Sequence, residues 1–187
     1  MLNNIILINI VIMNFKPVLM SNKQYDEVSA LVRESYKHSC ILFIDEIENP
    51  ILENYYEEYK SEIIKKRGSV EEKLLFHGTH AGLIDIISME GFDPSKNVAS
   101  AHGKGSYFAK NAAYSKDYMK STDKDEISYM FLAKVAVGKC TTRYTSSTDF
   151  DNYVDNVLTP SIFVAPHRYG AIPKYIIAFY KNATYTA

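Results

Sequence analysis

Apolar side chains recur at Tyr25, Val28, Leu31, Val32 and Tyr36, the three- and four-residue spacing of one helical face. Ser21 ahead of them is a candidate cap, so an amphipathic helix is predicted there. The run Cys40-Ile41-Leu42-Phe43-Ile44-Asp45-Glu46-Ile47-Glu48 is β-rich and closed by Asn49-Pro50, which predicts a strand ending in a turn. A charged helix is predicted from Ile51 to Lys66, with Tyr55, Tyr56, Tyr59, Ile63 and Ile64 as its stripe. Lys65-Lys66-Arg67 suit the negative end of its dipole and Gly68 stops it. Leu74-Leu75-Phe76 predicts a short strand running into His77-Gly78-Thr79, and Leu83, Ile84, Ile86 and Ile87 outline a helix stopped by Gly91. Ser106-Tyr107-Phe108-Ala109 predicts the next strand, with a short polar helix after it. Then come a charged linker over 121–126, a long strand from Tyr129 to Gly138 and a polar loop from Thr141 to Asn152. Closing strands are predicted at Ser161–Ala165 and Tyr175–Tyr180. Helices come early and strands accumulate late without regular alternation, which favours an α+β class with a mainly antiparallel or mixed sheet over a doubly wound one.

The chain has 187 residues, a formal net charge of −1, 47% apolar and 23% charged residues. That is one ordinary globular domain, and it disfavours both intrinsic disorder and a polybasic nucleic-acid binder, although a neutral sum leaves room for one basic face. Cys40 and Cys140 stand alone, so neither a disulfide framework nor a C-x-x-C motif is available. A reducing intracellular setting, cytoplasmic or nuclear, is expected. The five histidines offer a single metal-like spacing, His77 and His80, and no protein-bound metal is expected. Fifteen tyrosines and no tryptophan make stacking against a planar ligand feasible, though any one tyrosine taken singly reads as a half-buried strand residue. Met1 to Asn14 is uncharged and apolar but interrupted by Asn3, Asn4 and Asn9. It falls short of the roughly twenty apolar residues of a membrane span. It also lacks the basic start and small-residue cleavage site of a secretory signal. An extra edge strand or an upstream translated leader is expected there. Residues 1–14 thus form an extension of open status, followed by one domain over 15–187. Asn182-Ala183-Thr184 matches a glycosylation sequon and is taken as chance.

Gly103-Lys104-Gly105-Ser106 has the look of a phosphate loop, but Val98 stands where a Walker loop requires glycine and Phe108 where a dinucleotide fingerprint does. Close backbone approach or a tight turn before a strand accounts for these glycines better. Taken in order, Leu75-Phe76-His77-Gly78-Thr79, Gly91-Phe92, Gly103-Lys104-Gly105-Ser106-Tyr107-Phe108-Ala109, Tyr114-Ser115 with Tyr118, and Pro160-Ser161-Ile162-Phe163-Val164 form a distinctive set. The combination resembles the poly(ADP-ribose) polymerase catalytic domain from about Phe15 to Tyr180, nearest to its mono-ADP-ribosylating branch. The resemblance implies an ADP-ribosyltransferase fold of two packed, mainly antiparallel or mixed sheets with flanking helices, lacking a helical regulatory subdomain. It implies NAD+ as substrate and protein side chains as acceptors. Nucleic acid and membrane partners are not expected, and a monomer is.

The family's histidine, tyrosine and, in chain-elongating members, glutamate map onto His77, Tyr107 and Ile162. By resemblance His77 bonds the ribose beside nicotinamide, and Gly78 holds the carboxamide through its backbone. Ser115 donates a further carboxamide contact, while Tyr107 and Tyr118 sandwich the ring. The residue types fit independently of the family: a planar amide needs a donor, an acceptor and an aromatic face, and a strand-end histidine points into a cleft while its backbone stays paired. For Ser115 a helix-capping role stays open, and for Thr79 a ribose contact and a hydroxyl tying down its own turn are equal alternatives. Ile162 has no group to act as a general base, so single-unit transfer is expected. Two departures from the family pattern stand out. The Phe92–Gly103 segment over the donor side is short, with His102 where relatives often have an aromatic residue. After Val164, His167 and Arg168 either reach an acceptor or lie on an exposed hairpin turn with Pro166 and Gly170 at its corners. The alternative to an enzyme is a catalytically silent module that binds NAD+ or ADP-ribose. Transfer to nucleic-acid ends would need a basic acceptor face that the charge does not advertise.

Overall fold

The computed structural model describes residues 13–97, 101–120, 127–142 and 149–180. Strand β1, Asn14–Pro17, pairs antiparallel with β2, Ile41–Glu48, and lies at the sheet edge. Of the Met1–Asn14 extension only Met13 and Asn14 are among the described residues, Asn14 opening β1; residues 1–12 lie outside them, as do the 121–126 linker, residues 143–148 of the Thr141–Asn152 loop and Asn182. Helix α1, Lys23–Ser35, is capped by Asn22, whose Oδ1 accepts from Gln24 N at 3.0 Å, one residue beyond the expected Ser21. Its buried face carries Tyr25, Val28 and Val32 as the spacing predicts. Helix α2, Pro50–Arg67, has Asn49 as its cap, proline in its first turn and Gly68 in the left-handed region at φ 86° beyond its basic last turn.

Strand β3, Glu71–Gly78, is longer than Leu74–Phe76 because backbone pairing with β5, Ile127–Val137, continues through the polar Glu71, Glu72 and Lys73. A 3-10 turn over Ala81–Leu83 leads into α3, Ile84–Glu90, which Gly91 ends. Then follow β4, Ser106–Ala109; α4, Ala112–Lys116; β6, Cys140–Thr141; β7, Asn152–Val154; β8, Ile162–Ala165; and β9, Ala171–Tyr180.

The strands form one ladder in the order β1-β2-β9-β5-β3-β4-β8-β7-β6, antiparallel except for the β6/β7 pair among the described residues. This is an α+β fold. The two sheets of the expectation are the two halves of this ladder, joined where β3 and β4 share the single pair Phe76 and Ala109. On the first half, Met130 and Leu132 of β5 pack with Val28 and Val32 of α1, while Phe131 and Ala133 face Leu75, Phe92 and Phe108. Covered on both faces, β5 reads as a continuous apolar run. Among the described residues no helix is long and apolar enough to cross a membrane.

Candidate active site

Where β3 and β4 part after their one shared pair, a gap opens between the sheet halves, with α3 on one side and α4 on the other. The gap is a cleft of about 420 Å³. His77, Gly78, Thr79, Tyr107, Ser115, Tyr118 and Ile162 all line it. These sequence-derived candidates come from β3, β4, α4 and β8 and from the residues just past β3 and α4, and the fold brings them to one cavity.

His77 is held in one tautomer. Its Nδ1 lies 2.8 Å from the Tyr107 carbonyl oxygen, which can only accept, so Nδ1 carries the proton and donates. Nε2 is then an acceptor. Burial pushes the imidazole below its ordinary range, against the opposing effect of the Tyr107 carbonyl, so His77 is neutral near pH 7. The Phe92 ring meets it edge-on at 4.9 Å and 64°, and Phe92 in turn meets Phe108 at 4.9 Å and 89°. Tyr107 donates its hydroxyl to the Gly103 carbonyl at 2.7 Å and accepts from the His102 backbone N–H at 3.0 Å, which fixes its ring against the preceding loop.

The glycines of that loop serve close packing. A Cβ on Gly105 would lie 2.6 Å from Val164 Cγ1 and 2.7 Å from the Ala165 carbonyl oxygen, and the loop runs into a strand instead of the helix a phosphate loop requires. Ser115 is buried and donates Oγ–H to the Phe76 carbonyl at 3.1 Å, tying α4 across the end of β3. Its hydroxyl thus joins the helix to the strand and does not cap α4. Thr79 is buried, and its carbonyl accepts from Lys120 N at 3.3 Å as the chain returns beside His80.

Tyr114 on α4, four residues ahead of Tyr118 in the turn that follows, also lines the cleft. The two hydroxyls are 3.3 Å apart and the rings are tilted at 39°. The hydrogen bond with Tyr118 is the main reason the Tyr114 phenol is pushed up to about 12. The sequence by itself gives no role to Tyr114 or Phe92; the four-residue spacing of the tyrosines is the signal for one, and for the other only the glycine before it.

Ile162 is 5% exposed and paired with Ala109. Its backbone N–H donates to Asp155 Oδ1 at 3.0 Å, and Ser161 N reaches the same oxygen at 2.9 Å. His167 and Arg168 lie on the hairpin turn closed by Gly170 N donating to the His167 carbonyl at 3.0 Å. His167 stacks on Tyr59 of α2, and Arg168 reaches toward the end of α3, so both side chains have protein partners. His77 and His80 have separate partners, and no cluster of His, Cys, Asp and Glu among the described residues is arranged to hold a metal ion.

The family profile of the poly(ADP-ribose) polymerase catalytic domain matches residues 22–177. Human protein mono-ADP-ribosyltransferase PARP14 is 36% identical over 181 residues, covering 88% of this chain and 10% of its own. Human protein mono-ADP-ribosyltransferase PARP12 is 33% identical over 85% of this chain and 24% of its own, and mouse protein mono-ADP-ribosyltransferase PARP11 is 30% identical over 84% and 57%. The chain therefore spans only part of the length of these relatives. With the profile matching most of its length, the chain belongs to the poly(ADP-ribose) polymerase catalytic domain family.

Proposed function

We propose that this chain is an NAD+-dependent mono-ADP-ribosyltransferase acting on protein side chains. The observation that carries the proposal is the convergence of His77, Gly78, Tyr107, Ser115 and Tyr118 on one cleft whose fourth wall bears Ile162. The nicotinamide ring stacks between Tyr107 and Tyr118, each face contributing on the order of 1 kcal/mol. The Gly78 backbone pairs with the carboxamide, and Ser115, whose hydroxyl hydrogen is committed to the Phe76 carbonyl, offers the carboxamide amino group a lone pair instead of the donated contact expected from sequence.

His77 Nε2 accepts from a hydroxyl of the adjoining ribose, because Nδ1 is already committed to Tyr107. A neutral imidazole suits this position: a cationic one would oppose the positive charge that builds on the ribose as the glycosidic bond breaks. In that step the bond between C1′ and the pyridinium nitrogen breaks, nicotinamide leaves with the electron pair, and an acceptor oxygen or sulfur forms the new bond to C1′. The protein contributes chiefly by holding C1′ in line with its nucleophile.

A hydrocarbon at position 162 can take no proton from an acceptor. Acceptors that bring their own negative charge, carboxylates and thiolates, are therefore favoured over the neutral hydroxyl at the end of a growing chain. The test is incubation of the protein with labelled NAD+, comparing wild type with His77→Ala and Tyr107→Ala. Single-unit labelling lost in both variants is the expected result. Long ladders would overturn the single-unit assignment. Saturable NAD+ binding without nicotinamide release would move the protein to the silent, binding class.

A further inference from the structure

The turn between β8 and β9 is bolted to α2 by two flat stacks. His167 lies on Tyr59 at 4.1 Å and 4°, and Tyr169 lies on Tyr55 at 4.6 Å and 15°. Tyr55 and Tyr59 are one helical turn apart, so both stacks seat on one side of α2.

Between these anchors Arg168 reaches across to the donor-side wall of the cleft. Its Nη2 donates to the Glu90 carbonyl at 3.3 Å and lies 3.7 Å from the Glu90 carboxylate. That carbonyl ends α3 and has no partner within the helix, the place where a cation is favoured. Nη1 lies 3.5 Å from Asp93 Oδ2.

The other oxygen of Asp93, Oδ1, accepts from Ser95 N at 2.9 Å and Ser95 Oγ at 2.6 Å, which starts the 3-10 turn Pro94–Lys96 that continues the wall. Gly91 and Phe92 lie between the two gripped residues, and Phe92 is the ring against His77. One guanidinium thus holds the chain on both sides of Phe92.

We propose that Arg168 is a positioning residue for NAD+ capture: acting through Glu90 and Asp93, it sets Phe92 against His77 and fixes the 3-10 turn Pro94–Lys96 on the wall of the cleft. The inference rests on the reading of this cleft as an NAD+ site. Arg168 is partly exposed, so the effect is modest and weakens with salt. A lysine in its place offers one point charge where the guanidinium serves two partners, and restores only part of the effect.

The test is steady-state nicotinamide release by the full chain over a range of NAD+ concentrations, for wild type, Arg168→Ala and Arg168→Lys, at low and high salt. The expected result is a KM for NAD+ raised about fivefold in Arg168→Ala with kcat within about twofold. Arg168→Lys should fall between, and the wild-type advantage should shrink at high salt. The His77 ring proton signals should shift in Arg168→Ala, which a contact that merely stabilises the fold would not cause. Wild-type turnover with unchanged KM and unchanged His77 signals in Arg168→Ala overturns the inference while leaving the site intact. Absence of turnover in wild type overturns the functional reading itself, and the His77 signals of Arg168→Ala then decide the positioning role alone.

Discussion

Gly78 and Ser115 approach so closely that a Cβ at position 78 would lie 1.9 Å from the Ser115 carbonyl oxygen and 3.1 Å from Tyr118 Cβ. Glycine is required here by α4 crossing the end of β3, with Ser115 Oγ fastened to the Phe76 carbonyl at 3.1 Å. The single added methyl of Gly78→Ala must push α4 away, and overpacking of this kind costs about 1–3 kcal/mol. Because α4 carries Ser115 and leads directly to Tyr118, the variant is expected to melt lower and to release nicotinamide at least about tenfold more slowly. Melting curves and an NAD+ turnover assay check this. Wild-type turnover in Gly78→Ala would show that the approach of α4 is not needed for the site.

Burial lowers the pKa of His77 below that of free imidazole, and it lowers that of His167 as well. The unfolded chain then binds protons more readily than the folded one. The associated stability is complete above the unfolded value of about 6.5 and is lost as pH falls from there through the lower folded values. The carboxylates held below their ordinary range, such as Asp93 with its bonds from Ser95, act at more acid pH, so the interval from 6.5 down to about 5 belongs to these histidines. Thermal melts of His77→Gln should fall less steeply across that interval than those of wild type. For the same reason kcat/KM should stay level from pH 8 down to about 6.5 and decline only below it. A half-point at or above 6.5 assigned to His77 would contradict the desolvated, neutral ring.

What sequence made legible was local. The largely buried run Ser106–Ala109 after two glycines and the capped, Gly-stopped helix over Pro50–Arg67 follow from their own residues. β9 begins at Ala171, ahead of Tyr175, because Pro173 is accommodated where the register with β5 shifts between Leu132 and Ala133. The site residues were found through the order of their strings, yet the need for glycine at 78 comes from a helix that closes on it from 37 positions away in sequence, with no positive φ to announce it. The engagement of Arg168 with Glu90 and Asp93 was equally hidden, since on the chain it sits in what reads as an exposed turn.

Ile162 occupies the position where a glutamate would accompany chain elongation, but its surroundings are not prepared for one. The residue is 5% exposed, and the Asp155 carboxylate already lies against its backbone N–H at 3.0 Å. Burial pushes Asp155 up, but hydrogen bonds from Ser161 and Ile162 outweigh it and leave the carboxylate ionised. In Ile162→Glu the new acid would be desolvated and would face a like charge, both of which raise its pKa above the unfolded value of about 4.3. An acid with a raised folded pKa loses stability as pH rises. The melting temperature of Ile162→Glu should therefore lie closer to wild type at pH 5 than at pH 8. Equal gaps at the two pH values would mean that the side chain finds water or a cation at this position.

Ser35, the last residue of α1, accepts from the Ala113 backbone N–H at 3.2 Å and so closes the first turn of α4, where Asn111 in the capping position makes no side-chain bond. Lys116 reinforces the junction by lying 5.5 Å from the Tyr36 ring centroid. A cap supplied from another helix does two things at once: it satisfies an orphan N–H and it fixes α4 relative to the sheet face that α1 covers. Ser35→Ala is expected to cost about 1 kcal/mol, equivalent to a fall of about 2–4 °C in Tm for a domain of this size. Because α4 presents Tyr114 and Ser115 to the cleft and leads directly to Tyr118, the same change should also raise the KM for NAD+ by a few-fold. Ser35→Thr, which keeps an acceptor oxygen, should recover most of both. The Tm loss alone would follow from any lost cap; the joint movement of Tm and KM, and their joint recovery, distinguishes a helix that orients the stacking tyrosines from one that is only held in place. A Ser35→Ala protein with lowered Tm and unchanged KM would place the orientation of Tyr118 in its own contacts, chiefly the hydroxyl pair with Tyr114.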